Sequence, residues 1–301
     1  MQIVSLAQHI KCETVATIGF FDGVHLGHRF LLEQLTRCAA REHCASLVVS
    51  FADSPARTLH PASDVGLLTT PVEKMELFAQ AGIDYCLMLD FNAELARLTA
   101  EDFLLLLRQQ CGVQRLLLGY DHHFGSDRLR SFADYQSVAD DVGVTLEQEK
   151  PFAVAGTIVG SRVIRDYLMA GRVDKANKLL GYTYTLTGRV AHGRALGRTI
   201  GFPTANLTVS PRKLLPKNGV YVVDIQLNDH IYKGLLNVGT RPTVAGNDRT
   251  AEVHILDFAG DIYGRQLIVK LRERLRDEHK FNSLDDLKKQ IETDKLYLQY
   301  L

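Results

Sequence analysis

The sequence lacks the features that mark membrane, secreted and zinc-binding proteins. No apolar run in its 301 residues approaches the roughly 18 residues of a membrane helix. The first residues, Met1 to Ser5, hold neither a basic segment nor an apolar core, so we expect no signal peptide. The five cysteines show no paired Cys-x-x-Cys spacing, which argues against zinc and predicts reduced thiols. These absences predict a cytoplasmic protein without membrane contact.

Also missing are an excess of charge of either sign, internal repeats and low-complexity segments. The 35 basic residues balance the 35 acidic ones, and without a dense basic stripe we expect no nucleic acid as a partner. The balance is uneven along the chain, because residues 1–181 hold 17 basic and 22 acidic side chains and residues 182–301 hold 18 and 13. With the length, this predicts two domains, 1–181 and 182–301.

The first half alternates apolar strands with amphipathic helices. Such alternation predicts an α/β domain around a parallel sheet, which binds ligands at the carboxyl ends of its strands. Strands are predicted at Thr14–Ile18, Ala45–Phe51, Asp84–Leu89 and Arg115–Gly119, and helices at Phe30–His43, Val72–Ala81, Ala100–Gln110, Asp166–Ala170 and Val173–Leu180.

A run from Ile18 to His28, Ile-Gly-Phe-Phe-Asp-Gly-Val-His-Leu-Gly-His, lies where the first strand gives way to a helix. Unpaired N–H groups at a helix N-terminus attract anions, and the two histidines can donate charged hydrogen bonds to a phosphate. Gly19 and Gly23 let a nucleotide approach the backbone closely. A bare His-x-x-His pair is more often a packed helix start, but the preceding strand and the glycines favour phosphate binding.

A second motif, Gly-Tyr-Asp-His-His-Phe-Gly from Gly119, follows another strand and is therefore expected at the same crevice. Asp121 and Phe124 are predicted to contact a ribose and a ring. His122 and His123 are interpreted as a polar loop pair rather than a metal site, because adjacent histidines rarely bind one ion.

A third motif, from Val159 to Arg165, stands before a predicted helix. Ser161 is placed as an oxygen that caps this helix, and Arg165 could offer its planar guanidinium to phosphate oxygens. The alternative, a solvated arginine near a helix end, fits the residues alone equally well.

From Tyr182 the pattern changes to short strands separated by turns, which predicts an all-β unit, a small barrel closed by a helix. Gly181 to Tyr184 forms the predicted junction. Strands are predicted at Tyr184–Arg189, Gly219–Gln226, Tyr232–Val238, Ala251–Leu256 and Gln266–Leu275, and the helix at Leu284–Leu298.

Within this half, residues 197–206 read Gly-Arg-Thr-Ile-Gly-Phe-Pro-Thr-Ala-Asn. Gly197 and Gly201 permit a tight loop over phosphates. The Thr204 hydroxyl and the Asn206 carbonyl are hard oxygen ligands suited to Mg²⁺. For the short pattern alone, a glycine–proline turn with an incidental threonine and asparagine is the alternative.

Over essentially its whole length the sequence resembles the bacterial bifunctional riboflavin kinase/FMN adenylyltransferases, also called FAD synthetases. Residues 19–28 resemble the nucleotidyltransferase signature of that family, residues 119–125 its second nucleotide motif, and residues 201–206 its riboflavin kinase motif. The runs Asn-Gly-Val-Tyr, Glu-Val-His and Leu-Arg-Asp-Glu continue the series in the same order.

The resemblance has two departures. The third motif usually reads Ile-Ser-Ser-Thr-x-Ile-Arg in that family, but here Gly160 replaces the first serine and Arg162 replaces the threonine. The family's Phe-x-Pro-His-Pro is reduced to Phe-Ala-Asp-Ser-Pro at residues 51–55. Both departures bear on the efficiency of the adenylyl step rather than on its identity.

The resemblance implies an N-terminal Rossmann-like nucleotidyltransferase α/β domain followed by a small riboflavin kinase β-barrel with a C-terminal helix. The barrel would use ATP and Mg²⁺ to convert riboflavin to FMN and ADP, and the α/β domain would adenylylate FMN to FAD and release pyrophosphate, so that flavins are substrates and products. Glu252 would be the kinase base, while His25, His28 and Arg165 would stabilise charge in adenylyl transfer. Residues implied in ATP or phosphate binding are Gly19, Phe20, Asp22, Gly23, Ser161, Gly197, Gly201, Thr204 and Asn206, and those implied in flavin or nucleotide binding are Gly119, Asp121, Phe124, Asn218, Tyr221, Arg276 and Glu278.

Two rival functions stay open at this level. The opening motif alone would also fit a pantetheine-phosphate or cytidylyl transferase, and only the Pro-Thr-Ala-Asn half argues against these. The altered third motif leaves room for an α/β domain that binds flavin nucleotides without catalysis beside an active kinase. A product assay that separates FMN from FAD discriminates between this second rival and the bifunctional enzyme.

Overall fold

A computed structural model describes residues 1–54, 66–192, 201–243, 246–279, 281 and 283–299. Backbone packing divides the chain into two compact units. The first comprises Met1–Val65 and Thr69–Gly160, and the second comprises Gly66–Leu68 and Ser161–Leu301. None of the helices in the described ranges has the length and apolarity needed to cross a membrane.

The first unit is built on a six-stranded parallel sheet with the order β1-β4-β3-β2-β5-β6, which confirms the predicted α/β architecture. Its central strands are buried on both faces, so they form continuous apolar runs. The strands are β1 (Gln2–Val4), β2 (Thr14–Ile18), β3 (Ala45–Phe51), β4 (Tyr85–Leu89), β5 (Val113–Leu118) and β6 (Thr145–Gln148). The helices are α1 (Leu26–Glu42), α2 (Pro71–Gln80), α3 (Ala100–Cys111) and α4 (Phe132–Asp141), and the small hairpin β7 (Ala153–Val154) and β8 (Thr157–Ile158) follows.

Helices cover both faces of this sheet. Leu32 of α1 and Phe78 of α2 belong to the apolar cluster on one face, and Leu104 of α3 and Tyr135 of α4 belong to the cluster on the other. The chain runs outward from β2 through β3 on one side and resumes with β5 on the other side. The loops that leave β2 and β5 therefore diverge and open a crevice at the carboxyl edge of the sheet, which is where ligands bind in such folds.

The second unit contains a closed antiparallel barrel with the strand order β10-β13-β12-β11-β14-β9, so the predicted barrel is confirmed, and helices precede and follow the barrel in the chain. The helices are α5 (Ser161–Met169) and α6 (Val173–Leu180), followed by β9 (Thr185–Ala191), β10 (Ala205–Val209), β11 (Gly219–Leu227), β12 (His230–Thr243), β13 (Gly246–Ile255), β14 (Gln266–Arg276) and α7 (Leu284–Gln299). Leu298 of α7 packs on Val220, Val222 and Leu235 of the strands.

Several elements differ from the sequence prediction. Strands β1, β6 and β10 and helix α4 were not predicted, because these segments are short or interrupted by polar residues and depend on their neighbours for pairing. Helix α5 begins at Ser161 rather than at Asp166, so the predicted helix start is wrong and Arg165 lies inside the helix. Helix α6 ends at Gly181, which has φ 75° in the left-handed region and confirms the predicted stop.

By packing, the second unit begins before the predicted boundary at Gly181. The Asn177 side chain on α6 donates to the Leu271 carbonyl at 2.9 Å and accepts from the Tyr184 N–H at 2.7 Å. The segment Gly66–Leu68 joins the same unit, and the Lys213 ammonium donates to the Leu68 carbonyl at 2.7 Å. The functional division at Gly181 stays a prediction.

These contacts predict that a fragment beginning at Ser161 is more stable than one beginning at Tyr182. The shorter fragment loses both Asn177 hydrogen bonds, each worth about 0.5–1.5 kcal/mol, and the buried face of α6. Thermal unfolding followed by circular dichroism should give the longer fragment the higher Tm. In the longer fragment, Asn177→Ala should lower the Tm part of the way towards that of the shorter fragment. Equal Tm values for the two fragments would mean that α5 and α6 are not part of this folding unit.

Candidate active sites

The loop after β2 is held in an unusual backbone conformation. Phe21 and Val24 have φ values of 53° and 36°, and Gly23 has φ 84°. Two non-glycine residues in the left-handed region cost energy that the surrounding contacts must offset, and such strain gathers at functional sites. The predicted phosphate-binding run therefore forms a strained loop of defined backbone conformation.

Asp22 and Thr69 clamp this loop. The Gly23 N–H donates to the Thr69 hydroxyl at 2.9 Å, and the Thr69 N–H donates to the Asp22 carboxylate at 3.1 Å. Asp22 is buried, with 2% of its surface exposed. The structure thus gives Asp22 a role in holding the loop, and its predicted contact with a nucleotide stays a prediction.

Lys74 of α2 also supports the loop, and the sequence analysis missed it. Its ammonium donates to the carbonyls of Phe20 and Phe51 at 2.7 and 2.9 Å, and it lies 4.2 Å from the centre of the Phe20 ring. Only 1% of Lys74 is exposed. A lysine in an amphipathic helix normally lies at the surface, so nothing local marked this one as buried beneath the carboxyl ends of β2 and β3.

His25 and His28 meet at the N-terminus of α1. The His25 Nδ1 accepts the His28 N–H at 3.2 Å as the helix cap, so the ring proton of neutral His25 resides on Nε2. The two rings stack with centroids 3.6 Å apart. Burial, together with the nearby His25, Lys74 and His122, holds the pKa of His28 well below its usual value. The His28 Nδ1 is buried and has no hydrogen-bond partner among the described residues.

The motif after β5 brings a further imidazole towards this site. The pKa of His122 is lowered to about 4 by burial, and its Nε2 is buried without a partner in the described part of the chain. His123 and Asp121 are exposed. The Phe124 N–H and carbonyl both bond the Tyr135 hydroxyl, at 3.1 and 2.8 Å, so Phe124 anchors the loop that starts at Gly119. The expected loop pair therefore has one half-buried and one exposed member.

The third motif falls across the division between the units. Ser161 and Arg165 belong to the second unit, where the Arg165 Nε donates to the Gly66 carbonyl at 3.3 Å. A Cβ placed on Gly160 would meet nothing within 4 Å, so the missing serine would fit there. Arg162 is exposed. The predicted phosphate contacts of Ser161 and Arg165 stay predictions.

In the barrel, one row of side chains crosses four strands. Val220 on β11 pairs with Asn237 on β12, Asn237 pairs with Glu252 on β13, and Glu252 pairs with Asn206 on β10. Residues directly opposite in antiparallel strands point to the same face. The predicted base and one predicted metal ligand are therefore immediate neighbours.

A cavity of about 310 Å³ lies over this row, between the outer wall of the barrel and α7. Glu252, Asn237 and Thr204 line it together with Glu278 and Arg276. Its apolar walls include Phe202, Val220, Leu235, Phe281, Leu287 and Ile291. An apolar cavity with a few convergent polar groups is typical of a small-molecule site.

His254 supports the backbone before Thr204. Its ring Nδ1 lies 2.9 Å from the Pro203 carbonyl, and its ring packs edge-on against Phe202 with centroids 5.6 Å apart. Burial lowers the pKa of His254. Although the run Glu-Val-His was noted in the sequence, no role was predicted for this histidine.

Arg276, which lines the cavity, is paired with a buried carboxylate, and its predicted flavin contact stays a prediction. Its Nε and Nη2 donate to Asp294 of α7 at 3.0 and 2.7 Å, and its Nη1 donates to the Asp277 carbonyl at 3.1 Å. Only 3% of Asp294 is exposed. The pair ties α7 to the end of β14 and so fixes one wall of the cavity.

The other predicted flavin residues divide between cavity and core. Glu278 lines the cavity, whereas Tyr221 is fully buried and pairs with Leu236 on the opposite face of the strands from Glu252. Asn218 donates to the Thr240 hydroxyl at 2.8 Å and does not line the cavity. Gly201 is exposed with φ 82°, and Gly197 lies outside the described residues.

The oxygen donors fit a magnesium ion that is completed by substrate. Within the described ranges no group of three His, Cys, Asp or Glu side chains could hold a metal on its own. Thr204 is exposed at the cavity, and Asn206 stands opposite Glu252. Mg²⁺ prefers oxygen ligands and usually keeps waters and substrate phosphates. These residues therefore suit an ion that arrives with a nucleotide.

Comparison with known proteins covers both units. The family model of riboflavin kinase matches residues 180–300, and that of FAD synthetase matches residues 7–163. A bifunctional riboflavin kinase/FMN adenylyltransferase of Escherichia coli K12 is 39% identical over 296 residues, covering 98% of this chain and 94% of the relative. Its counterpart from Pseudomonas fluorescens is 38% identical over 299 residues, covering 98% and 96%.

A solved structure shows the same fold. The crystal structure named as that of a macrolide-efflux protein from Streptococcus pneumoniae matches with a TM-score of 0.89 and 31% identity, and covers 97% of each chain. That name describes the other protein, and the likeness used here is that of the fold.

Burial of His122 predicts a pH-dependent stability of the first unit. Because its folded pKa of about 4 lies below the value of about 6.5 expected in the unfolded chain, the unfolded chain takes up the proton first. Lowering the pH from 7 to 5 should therefore cost this unit about 2 kcal/mol through His122. Urea unfolding of His122→Phe should show a correspondingly smaller loss. The exposed neighbour gives a matched control, since His123→Phe should keep the wild-type loss, and equal losses in all three proteins would contradict the prediction.

Proposed function

The chain belongs to the family of bifunctional riboflavin kinase/FMN adenylyltransferases, and on this premise we propose which of its residues carry each reaction. The C-terminal barrel is the riboflavin kinase and the N-terminal α/β unit is the FAD synthetase. The observation that carries the assignment is the row of Asn206, Glu252 and Asn237 beneath the cavity. In this row a carboxylate that lines the apolar cavity lies beside hard oxygen donors.

In the kinase, Glu252 takes the proton from the 5′-hydroxyl of riboflavin. The freed oxygen bonds to the γ-phosphorus of ATP while the bond from that phosphorus to the bridging oxygen breaks, which gives FMN and ADP. The apolar walls Leu235, Leu287 and Ile291 hold the flavin ring. Phosphoryl transfer needs mainly positioning and neutralisation of charge, so the cavity and one base would suffice together with a bound Mg²⁺.

Thr204 and Asn206 are proposed to hold Mg²⁺ with ATP through their oxygen atoms. The ion neutralises phosphate charge when bound. Pro203 and the His254 contact at its carbonyl fix the backbone that presents Thr204. Asn206 is fixed by its place in β10 between β9 and β13.

In the FAD synthetase, a phosphate oxygen of FMN bonds to the α-phosphorus of ATP, and the bond to the leaving pyrophosphate breaks. The nucleophile is already anionic, so no strong base is needed. His25 and His28 at the start of α1 stabilise the charge that develops on the phosphates, with Arg165 and Ser161 as further proposed contacts. Gly19, Phe20 and Gly23 shape the loop beneath.

The family assignment argues against the two rival functions that the sequence left open. A FAD synthetase model over residues 7–163 and whole-chain relatives named as FMN adenylyltransferases argue against pantetheine-phosphate and cytidylyl transferases and against a purely binding module. The altered third motif then bears on rate. Its exposed Arg162 and the open space at Gly160 show that the replacements are accommodated without steric conflict.

Glu252→Gln should remove most of the kinase activity. The substitution keeps shape and hydrogen bonding but removes the proton acceptor, so kcat for FMN formation should fall about 10²–10⁴-fold. KM for riboflavin should be nearly unchanged, because the interaction acts mainly in the transition state. FAD formation from supplied FMN in the same preparation is the control for folding. A variant with wild-type kcat would remove Glu252 from the mechanism.

His28→Ala should reduce FAD formation and leave FMN formation unchanged, the reverse of the effect expected for Glu252→Gln. Loss of one preorganised charge-stabilising group should reduce FAD formation from FMN about 10²–10³-fold. FMN formation from riboflavin, measured in parallel by separation of the flavins, should stay at the wild-type rate. If both activities fall together, His28 is a structural residue, and the proposed role is wrong.

A further inference from the structure

The chain passes from one packing unit to the other between Leu68 and Thr69. Gly66–Leu68 packs with the second unit, and Thr69 belongs to the first. Leu68 and Thr69 are both buried, with 0% and 2% of their surfaces exposed. The peptide bond holds consecutive Cα atoms about 3.8 Å apart, so any contact that fixes Leu68 also restricts where Thr69 can lie.

A short backbone bridge holds Gly66–Leu68 within the second unit. The Leu67 N–H donates to the Arg212 carbonyl at 2.6 Å, and the Leu214 N–H donates to the Leu67 carbonyl at 2.8 Å. These bonds form a parallel bridge in which Leu67 pairs with Lys213. The bridge is one residue long, so side-chain contacts have a large share in holding the segment.

Lys213 supplies such a contact. Its ammonium donates to the Leu68 carbonyl at 2.7 Å and lies 4.7 Å from the centre of the Tyr184 ring. Only 6% of Lys213 is exposed. A hydrogen bond from a charged donor is roughly twice as strong as one between neutral groups, so this bond is the strongest of the three that hold Leu67 and Leu68.

The peptide group between Leu68 and Thr69 is held at both of its polar atoms. Lys213 binds its carbonyl oxygen, and the Asp22 carboxylate accepts its N–H at 3.1 Å. A peptide group is planar and turns as one body, so the contact at the oxygen sets the direction of the N–H. The next side chain, the Thr69 hydroxyl, accepts the Gly23 N–H at 2.9 Å.

We propose that Lys213 is a positioning residue for the FAD synthetase reaction, because it orients the Leu68–Thr69 peptide and so keeps Thr69 in place to hold Gly23 in the strained loop after β2. The inference rests on the proposed role of that loop in adenylyl transfer. Lys213 lies within residues 180–300, which match the riboflavin kinase model. A residue from the kinase part of the sequence would thus serve the other reaction.

Lys213→Met tests this role, because it removes the ammonium and keeps a long apolar side chain. Displacement of a site element by about 1 Å can cost 10²-fold in rate, so kcat/KM for ATP in FAD formation from FMN should fall about 10–10²-fold. FMN formation from riboflavin by the same preparation should stay at the wild-type rate. An unchanged rate of FAD formation would overturn the proposal, as would an equal fall in both activities.

Two further variants show whether the charged donor is what matters. Lys213→Arg keeps such a donor and should retain most of the FAD formation, whereas a loss equal to that of Lys213→Met would contradict the proposal. Lys217→Met is the matched control. This lysine is exposed and lies in the same connection between β10 and β11, and its ammonium is 3.7 Å from the Asp277 carboxylate. Its replacement should leave both activities unchanged.

A double-mutant cycle with Thr69→Val shows whether Lys213 acts through Thr69. Thr69→Val removes the hydroxyl that accepts the Gly23 N–H. If both substitutions act through this one contact, Lys213→Met should lower FAD formation little further in the Thr69→Val background, whereas independent effects would multiply. Multiplied effects would make Lys213 a general packing residue and overturn the proposal.

Failure of the proposed function would give a different result. If the loop after β2 has no part in adenylyl transfer, Thr69→Val and His28→Ala would both leave FAD formation at the wild-type rate. If only the inference about Lys213 is wrong, those two variants lose FAD formation and Lys213→Met keeps it.

Discussion

The pairing of β10 with β13 is the contact on which both the barrel and its active site depend. Two residue pairs join these strands, Ala205 with Val253 and Asn206 with Glu252, and β9 holds the other edge of β10. The same backbone register therefore closes the sheet and sets Asn206, a proposed metal ligand, beside the proposed base. Because side chains alternate between faces, a shift of one residue would turn Asn206 into the barrel. The hydrogen bonds that pair β10 with its neighbours thus hold both the barrel and the proposed site residues in place.

Much of the architecture could be predicted because its signals are local. Continuous apolar runs indicate strands that are buried on both faces, and β2 and β3 were predicted within their observed bounds. β10 gave no such signal. Its Pro-Thr-Ala-Asn start reads as a loop, and its extended conformation comes from pairing with β9 and β13, which are distant in the sequence from each other. Pairing of that kind cannot be seen in a local pattern.

For single side chains as well, the sequence does not reveal contacts with residues that are distant in the chain. Motifs identified Arg276 and Tyr221 but could not show what each one touches. Arg276 is bound by Asp294 on a helix that follows later in the chain, and Tyr221 faces the barrel core. Conversely, Lys74 supports the loop after β2 from an ordinary amphipathic helix, since only the packing of α2 against the sheet buries it. The residue types predicted which chemistry each site could support. Which side chains hold other residues in place depends on tertiary contacts that the sequence does not reveal.

Ring nitrogens that are buried and have no hydrogen-bond partner among the described residues occur in both units, on His28 and His122 in one and on His254 in the other. Each costs stability in the absence of substrate, and the strained backbone at Phe21 and Val24 adds to that cost. The surrounding core offsets it, with buried contacts such as the Lys74 ammonium and the Arg276–Asp294 pair holding the loops in place. The loops around the candidate sites are therefore held by contacts elsewhere in each unit, and those contacts set how much backbone strain and unpaired polarity each loop can carry.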